Sequence, residues 1–297
     1  MKISAKPVLF MLVVSGLIFL LILAMQPLEI YAFKEYIAVL FPKGNVGIQQ
    51  RDLLVLIQVL MLFVIVPVYI LTFLFSWWYR ADNKRATYDP DLVDNTVAEF
   101  VWWGVPCLMM IFIGGITWIK TVELDPYKSI ASDKKPIVIE AVALQWNWLF
   151  IYPEEKIASL NYLQFPKETP LKFQITADAP MNSLWIPFLG GQIYAMPAMK
   201  TELNLIANEE GTFPGYSANI SGEGFASMRF KAMASTEEEF QEWVKKAADS
   251  GNSLTYASYE ELAKPTIGDP VELYQLADEH LFHKIIMKYM QPPSKQE

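Results

Sequence analysis

The central feature of the sequence is the segment Gly215-Tyr-Ser-Ala-Asn-Ile-Ser-Gly-Glu-Gly-Phe-Ala-Ser-Met228. The segments on either side of it are rich in β-forming residues and are closed by Gly and Pro. The stretch is therefore predicted to be a turn-rich loop at one end of a β-domain. A copper-binding loop needs thiolate and imidazole ligands close together. This loop offers Ser217, Ser221 and Phe225 instead, and only the thioether of Met228, a weak ligand, could still contact a metal.

Four segments around this loop have the pattern of short strands. They alternate apolar and polar residues or are rich in β-formers, and Pro, Gly or Asp bounds them. These segments are residues 137–145, 171–176, 201–206 and 228–233. The sequence from 121 to 235 therefore predicts a sandwich of short antiparallel strands.

The whole chain is 53% hydrophobic. Its apolar residues are concentrated in the first 120 positions. Three apolar runs are long enough to cross a bilayer, namely residues 8–25, 53–78 and 100–119. The second run ends in Trp77-Trp78-Tyr79-Arg80, which is typical of a helix leaving the hydrocarbon layer. Residues 53–120 are therefore predicted to form a transmembrane helical hairpin, with a cytoplasmic loop at 80–98.

The N-terminal run, residues 1–26, is predicted to be either a retained signal anchor or a cleaved signal peptide. The anchor is favoured because Ile22-Leu23-Ala24 is a poor cleavage site. Residues 27–52 then form a short periplasmic connector. The chain after Lys120 is expected on the periplasmic side of the membrane in both cases. A retained anchor gives three crossings from a cytoplasmic N-terminus, and a cleaved signal peptide leaves two crossings from a periplasmic one.

Residues 236–297 are predicted to form a C-terminal helical arm. The arm opens with a capped amphipathic helix that has Phe240, Trp243 and Val244 on one face. Farther along, His280 and His283 have a spacing that could hold a metal on a helix face. Because no third ligand is marked, two ordinary histidines are the preferred interpretation.

Composition excludes several classes of protein. A formal net charge of −8 argues against binding to nucleic acid. A single cysteine, Cys107, excludes an intrachain disulfide framework and any Cys-Cys zinc or redox site. Since Cys107 lies inside an apolar run, it is predicted to be a small buried apolar side chain.

The segment from Met181 to Met228 resembles the metal-site half of subunit II of the haem-copper respiratory oxidases. In the cytochrome c oxidase branch of that family, a two-copper centre is held by a His and by a Cys-x-Glu-x-Cys-x3-His-x2-Met loop. Only one of these six positions, Met228, keeps the family's residue. The other five carry Asn182, Ser217, Asn219, Ser221 and Phe225. An intact frame without the ligands resembles the quinol-oxidase branch, the cytochrome bo-type ubiquinol oxidases.

The resemblance covers nearly the whole chain after residue 40, and it implies both a fold and a function. The fold is a membrane-anchored all-β protein: an N-terminal hydrophobic segment, the helical hairpin, a cupredoxin-like sandwich at 121–235 and the helical arm. The function is that of subunit II in a proton-pumping quinol oxidase of the bacterial inner membrane, which oxidises ubiquinol and reduces oxygen to water. This chain would bind no metal or other cofactor, with haems and copper held by subunit I. Its partners would be subunit I, subunits III and IV and the lipid bilayer, without cytochrome c.

Glu99 is an ionisable group at the mouth of the second transmembrane run. The residues alone indicate a solvated carboxylate that suits the dipole at a helix N-terminus. However, Glu99-Phe-Val-Trp-Trp-Gly-Val-Pro106 resembles the family's Glu-x-x-x-Trp-x-x-Pro motif. The resemblance implies that Glu99 lies at the cytoplasmic entrance of a proton channel in subunit I.

Two tryptophans and two alternative functions bear on whether the chain carries electrons. Trp146 and Trp148 lie in a stretch that resembles the one that helps to pass electrons in cytochrome c oxidases, but without copper they are expected to be packing residues. A copper-bearing oxidase subunit is an alternative that the missing ligands nearly exclude. Another alternative is a membrane-tethered binding or assembly module without an oxidase partner. A simple tether would need one membrane helix and no carboxylate at the start of a second one, so the hairpin and Glu99 favour the oxidase.

Overall fold

The structure is a computed structural model that describes residues 37–87 and 94–290. These residues fall into two compact units. One contains the long apolar helices from Asp52 to Glu123, and the other joins residues 38–51 to the chain from Leu124 onward. The predicted N-terminal segment, 1–26, lies outside the described residues.

Two long helices, α1 (Asn45–Trp78) and α2 (Thr96–Glu123), contain the two predicted hairpin runs. At 34 and 28 residues both exceed the ~20 residues that cross a hydrocarbon core. Their apolar side chains are mostly exposed in the single chain, as on a surface that faces lipid or other membrane helices. Cys107 is exposed on α2 as well, so the prediction that it is buried is wrong for the single chain.

Helix α1 begins earlier than the apolar run at Leu53 indicates. Its first two turns mix polar and charged residues with apolar ones, so the apolar run does not detect them, but they are held by the β-domain. The amide of Gly47 donates to the carbonyl of Leu189 at 3.0 Å, and that of Gly44 donates to Phe188 at 3.1 Å. The end of the predicted connector therefore packs against a loop of the β-domain, the one that contains Phe188 and Leu189.

The β-domain is a sandwich of two sheets. Its strands are β1 (Ile137–Ala143), β2 (Trp148–Tyr152), β3 (Ile157–Leu160), β4 (Tyr162–Pro166), β5 (Leu171–Ala177), β6 (Asn182–Trp185), β7 (Gln192–Ala195), β8 (Thr201–Leu205), β9 (Gly211–Ser217), β10 (Arg229–Ser235), β11 (Ser253–Leu254) and β12 (Glu272–Leu276). One sheet has the seven-stranded order β11-β12-β3-β2-β1-β5-β8, and the other has the five-stranded order β4-β10-β9-β6-β7. Each of the four strand segments predicted from sequence is confirmed, with ends shifted by two residues at most.

The pairing is mixed, whereas an antiparallel sandwich is predicted. Strand β5 pairs parallel to β1, and β10 pairs parallel to β4. The reason is that β4 lies in the opposite sheet, so the chain crosses over before it returns beside β1, as parallel neighbours require. The fold class is confirmed: two apolar helices precede a cupredoxin-like sandwich that carries a C-terminal arm.

Aromatic side chains fill the space between the sheets. Trp148, Phe150 and Tyr152 point inward from β2 and are fully buried. The ring of Phe230 on β10 lies 4.9 Å from that of Phe150, measured between ring centroids. Trp148 is therefore the packing residue that the sequence predicts.

The arm contains helices α3 (Glu237–Ala248), α4 (Tyr256–Leu262) and α5 (Leu281–Lys288). The predicted cap is confirmed, because Thr236 and Glu239 form a reciprocal capping box and α3 buries Phe240 and Trp243. The arm is not wholly helical, because β11 and β12 extend the larger sheet. Strand β12 pairs antiparallel with β3, a long-range contact that local helical patterns do not indicate.

Candidate functional site

The site lies where β9 ends and the loop to β10 begins. Strand β6 pairs with β9, with Leu184 opposite Ser217, so Asn182 and Ser217 come to the same end of the smaller sheet. The hydroxyl of Ser217 donates to the side-chain oxygen of Asn182 at 2.8 Å, and both residues are buried. Two of the residues singled out by sequence are thus in direct contact.

Further hydrogen bonds close this end of the sandwich. The amide side chain of Asn182 donates to the carbonyl of Pro180, and that of Asn219 donates to the carbonyl of Met181, both at 2.7 Å. The Ser217 amide donates to the carbonyl of Met228 at 3.3 Å. The positions 182, 217, 219 and 228 are therefore tied together by protein groups.

Trp146 supports the middle of the loop. Its backbone has φ 73°, and its indole N–H donates to the carbonyl of Ser221 at 3.2 Å. The loop lies so close to the ring that a Cβ on Gly224 would be 2.3 Å from Trp146 Cδ2. The close approach explains why glycine is needed there, and Trp146 is half-buried packing under the loop. Strand patterns do not reveal this contact, because it joins residues far apart in sequence.

The donor set at these positions does not fit a copper site. Amide and hydroxyl oxygens and a phenyl ring replace the soft thiolate and imidazole ligands that such a centre requires. Phe225 is half-buried and begins a short 3-10 helix, and Met228 is buried. The hydroxyl oxygen of Ser221 is buried without a hydrogen-bond partner in the described chain. Within residues 37–87 and 94–290, no cluster of three or more His, Cys, Asp or Glu side chains could hold a metal ion.

A buried carboxylate attaches the arm to the same end of the sandwich. Asp178 follows β5 and accepts hydrogen bonds from the hydroxyl of Tyr259 at 2.6 Å, from Lys288 Nζ at 2.9 Å and from the hydroxyl of Tyr289. Burial, reinforced by the hydrogen bond to Asp178, raises the pKa of both tyrosines well above the ordinary value. Asp178 lies four residues before Asn182, so the arm anchors the segment that leads to the site.

A second polar contact joins the arm to the turn that carries Trp146. The side-chain amide of Asn147 donates to Thr266 Oγ1 at 2.8 Å and to Asp269 Oδ2 at 3.0 Å. Asn161 donates to Asn147 Oδ1 at 2.7 Å and completes the buried network. Sequence reasoning missed this network and Asp178, because isolated Asn and Asp residues do not indicate their partners.

Glu99 belongs to the other compact unit, which contains the long helices. It is in the first turn of α2 and is exposed. The side-chain oxygen of Asn95 accepts from the Ala98 amide at 3.0 Å and caps the helix. Trp103, one turn later, shares a helix face with Glu99.

The two histidines are both exposed at the start of α5. His280 occupies the position before the helix, while His283 lies on its outer side. The buried face of α5 consists of Leu281, Phe282, Ile285 and Ile286, which pack on the larger sheet. The histidines thus lie on the outward side of the arm.

Comparison with known proteins gives consistent matches. Residues 248–293 match the family model of the COX Aromatic Rich Motif. Cytochrome bo(3) ubiquinol oxidase subunit 2 of Pseudomonas putida is 51% identical over 248 residues, which are 84% of this chain and 79% of that protein. Ubiquinol oxidase subunit 2 of Acetobacter aceti is 43% identical over 84% of this chain and 82% of its own length. Quinol oxidase subunit 2 of Bacillus subtilis (strain 168) is 38% identical over 85% of this chain and 77% of its own length.

Solved structures also resemble parts of the chain. The periplasmic domain of subunit II of cytochrome oxidase (CoxB) of Bradyrhizobium japonicum has 22% sequence identity and a TM-score of 0.37. The match covers 40% of this chain and 96% of that one. A chain from a heme-copper terminal oxidase dimer has 12% identity and a TM-score of 0.35, over 48% of this chain and all of its own length.

Proposed function

This chain belongs to the subunit 2 family of the quinol oxidases and is a subunit of a terminal quinol oxidase, and we propose from that premise that it holds no redox centre of its own. The observation that carries the proposal is the direct hydrogen bond between Asn182 and Ser217. We assign both residues to vacated copper-ligand positions, together with Asn219, Ser221 and Phe225. The alternative of a tether without an oxidase partner has no comparable support, since the matched relatives are oxidase subunits over most of the chain.

The missing ligands agree with the source of the electrons. A sandwich that accepts electrons from a soluble cytochrome needs a metal centre near its surface. Quinol is lipid-soluble and reaches an oxidase through the bilayer, so it needs no outer relay. We therefore assign electron entry, the haems and the copper to partner subunit I, with ubiquinol as the substrate of the complex. Oxidation of ubiquinol, reduction of oxygen and proton pumping are functions of the whole assembly.

The long helices form the proposed surface for subunit I, and subunits III and IV complete the assembly. Both helices expose apolar side chains along their length, a surface that suits bilayer and neighbouring helices. The loop between them contains Arg80, Lys84 and Arg85, which favours the cytoplasmic side under the positive-inside rule. The protein would then cross the bacterial inner membrane more than once, with the β-domain in the periplasm.

We assign to Glu99 a role in proton entry. Its exposed carboxylate at the start of α2 can take up a proton from water and release it to a neighbouring acceptor. Ionisable groups at a membrane helix are commonly functional, which supports the assignment.

Replacement of Glu99 by Gln tests this role, because glutamine keeps the shape and removes the exchangeable proton. We expect the oxidase to assemble with normal haem content, while quinol-driven oxygen uptake falls several-fold. Glu238→Gln, on the exposed side of α3, is the matched control and should leave turnover unchanged. Full turnover in an assembled Glu99→Gln oxidase would refute the proton-entry role without affecting the assignment to the oxidase.

A further inference from the structure

Two unused hydrogen-bond donors lie together at the C-terminal end of α1. The indole Nε1 of Trp77 and the Nε of Arg80 are both buried, and neither has a hydrogen-bond partner in the described chain. The guanidinium carbon of Arg80 lies 5.3 Å from the centre of the Trp77 ring. The Nη1 of Arg80 also donates to the backbone carbonyl of Trp77 at 3.1 Å. The ring contact and this hydrogen bond together hold the two residues as one stacked pair.

Such donors need an acceptor. Leaving a buried donor unpaired costs ~1–3 kcal/mol, and the cost is larger when the group is charged. The described part of the chain supplies no acceptor for either donor, so the acceptor must come from another molecule. Because one donor belongs to a guanidinium, an anionic oxygen is the acceptor that forms the strongest hydrogen bond.

The position of the pair indicates where that oxygen comes from. Trp78 and Tyr79 are adjacent and 42% and 61% exposed, as in the aromatic layer at the membrane surface. Phospholipid phosphates lie at this depth. The exposed rings beside the pair can contact the acyl chains of a lipid whose phosphate reaches Trp77 and Arg80.

Two more cations are held beside the helix end. The side-chain oxygen of Asn83 accepts from the amide of Arg85 at 3.1 Å, and the Asn83 amide donates to the carbonyl of Trp78. This turn keeps Lys84 and Arg85 near the membrane surface. Arg80, Lys84 and Arg85 give this turn three positive charges against the one negative charge of Asp82. This excess of positive charge favours a lipid with net negative charge.

We propose that Trp77 and Arg80 form a binding site for the phosphate of an anionic phospholipid. Binding requires the Arg80 side chain to turn away from the indole ring, on which it is stacked in the structure, so that its Nε and the Trp77 N–H can donate to the phosphate oxygens together. Lys84 and Arg85 add long-range attraction. The inference relies on α1 crossing the bilayer, and it depends neither on Glu99 nor on the source of the electrons.

The test uses the full chain in its assembled oxidase, purified in mild detergent. Bound lipid is counted by native mass spectrometry during titration with phosphatidylglycerol, and with phosphatidylcholine as the zwitterionic comparison. Trp77→Phe keeps an aromatic ring and removes the N–H, so affinity for phosphatidylglycerol should fall about tenfold, the loss of one hydrogen bond to a charged group. Trp78→Phe is the matched control and should change it little. Arg80→Lys keeps the charge without the Nε donor, and it should also weaken binding.

Several results would overturn the proposal. One is equal affinity in the wild type and both site variants. Another is equal binding of phosphatidylcholine and phosphatidylglycerol, which would indicate general anchoring by the aromatic layer. Displacement of the lipid by millimolar inorganic phosphate would assign the site to a free anion. Binding to the separate chain but not to the assembled oxidase would show that a partner subunit supplies the acceptor.

Discussion

Asp178 provides the sharpest test of how the arm is held. Its side chain is 2% exposed and accepts hydrogen bonds from Tyr259, Tyr289 and Lys288. Replacing Asp178 by Ala removes the acceptor and leaves two tyrosine hydroxyls and an ammonium group unpaired. The arm should then detach more readily from the sandwich.

The expected magnitude follows from the burial of these groups. Removing one partner of a buried ion pair costs ~3–5 kcal/mol. The side chain of Lys288 is 41% exposed and can regain water, so the lower end, ~3 kcal/mol, applies. Asp178→Asn keeps a neutral acceptor, and because neutral hydrogen bonds are weaker than charged ones, we expect ~1–2 kcal/mol.

Hydrogen–deuterium exchange on the full chain measures this change locally. A loss of ~3 kcal/mol should accelerate exchange of the α5 amides about a hundredfold if they exchange through local opening. Lys156→Ala is the control, because it breaks the ion pair between Lys156 of the sandwich and Glu279 of the same arm. Those two side chains are 65% and 62% exposed, so solvent screens the pair and its loss should leave the exchange of α5 nearly unchanged.

Two results would contradict this role of Asp178. If α5 exchanges at the same rate in Asp178→Ala and in the control, Asp178 does not hold the arm. If exchange accelerates equally in α5 and in the central strands β1 and β2, the arm and the sandwich open as one unit. Local detachment predicts a change in α5 and β12 with the core strands still protected.

Three further predictions concern the β-domain. Burial raises the pKa of Glu140 to about 7, so stability should fall as pH rises from 4.5 to 7. Glu140→Gln should therefore raise stability at pH 8 by ~1–2 kcal/mol after solvent screening, with no gain at pH 4 in thermal melts; an equal gain at both pH values would contradict this. Gly224→Ala would place its Cβ 2.3 Å from Trp146 Cδ2, so it should cost ~1–3 kcal/mol and shift tryptophan fluorescence, whereas an unchanged spectrum would count against the contact. Gly190 has φ 81° and a built Cβ 2.5 Å from Gly47 N, so Gly190→Ala should cost ~2 kcal/mol and expose the amides at 43–48 to exchange; full protection there would contradict the packing.

Local signals account for the features that the sequence predicts well. Long uncharged runs locate α1 and α2, and alternation locates strands such as β5. Thr236 and Glu239 mark the start of α3 because a capping box needs only neighbouring residues. The absence of thiolate and imidazole ligands from the loop is also readable directly, since it depends on residue type alone.

Long-range contacts account for what the sequence does not show. Helix α1 begins at Asn45 because its first turns pack on the loop at Leu189, a contact without a local signal. The strand character of β12 depends on its neighbour β3, which supplies the hydrogen bonds. The roles of Asp178 and Asn147 depend on arm residues about a hundred positions away, so only the folded chain reveals them.

We infer that this chain serves an oxidase that takes electrons from quinol, without copper in its own β-domain. The most direct measurement is oxygen uptake by the purified oxidase, supplied either with ubiquinol or with reduced cytochrome c, together with the copper content of the separated chain. We predict uptake with ubiquinol, none with cytochrome c, and a separated chain free of copper. Uptake driven by cytochrome c, with copper bound to this chain, would contradict this inference.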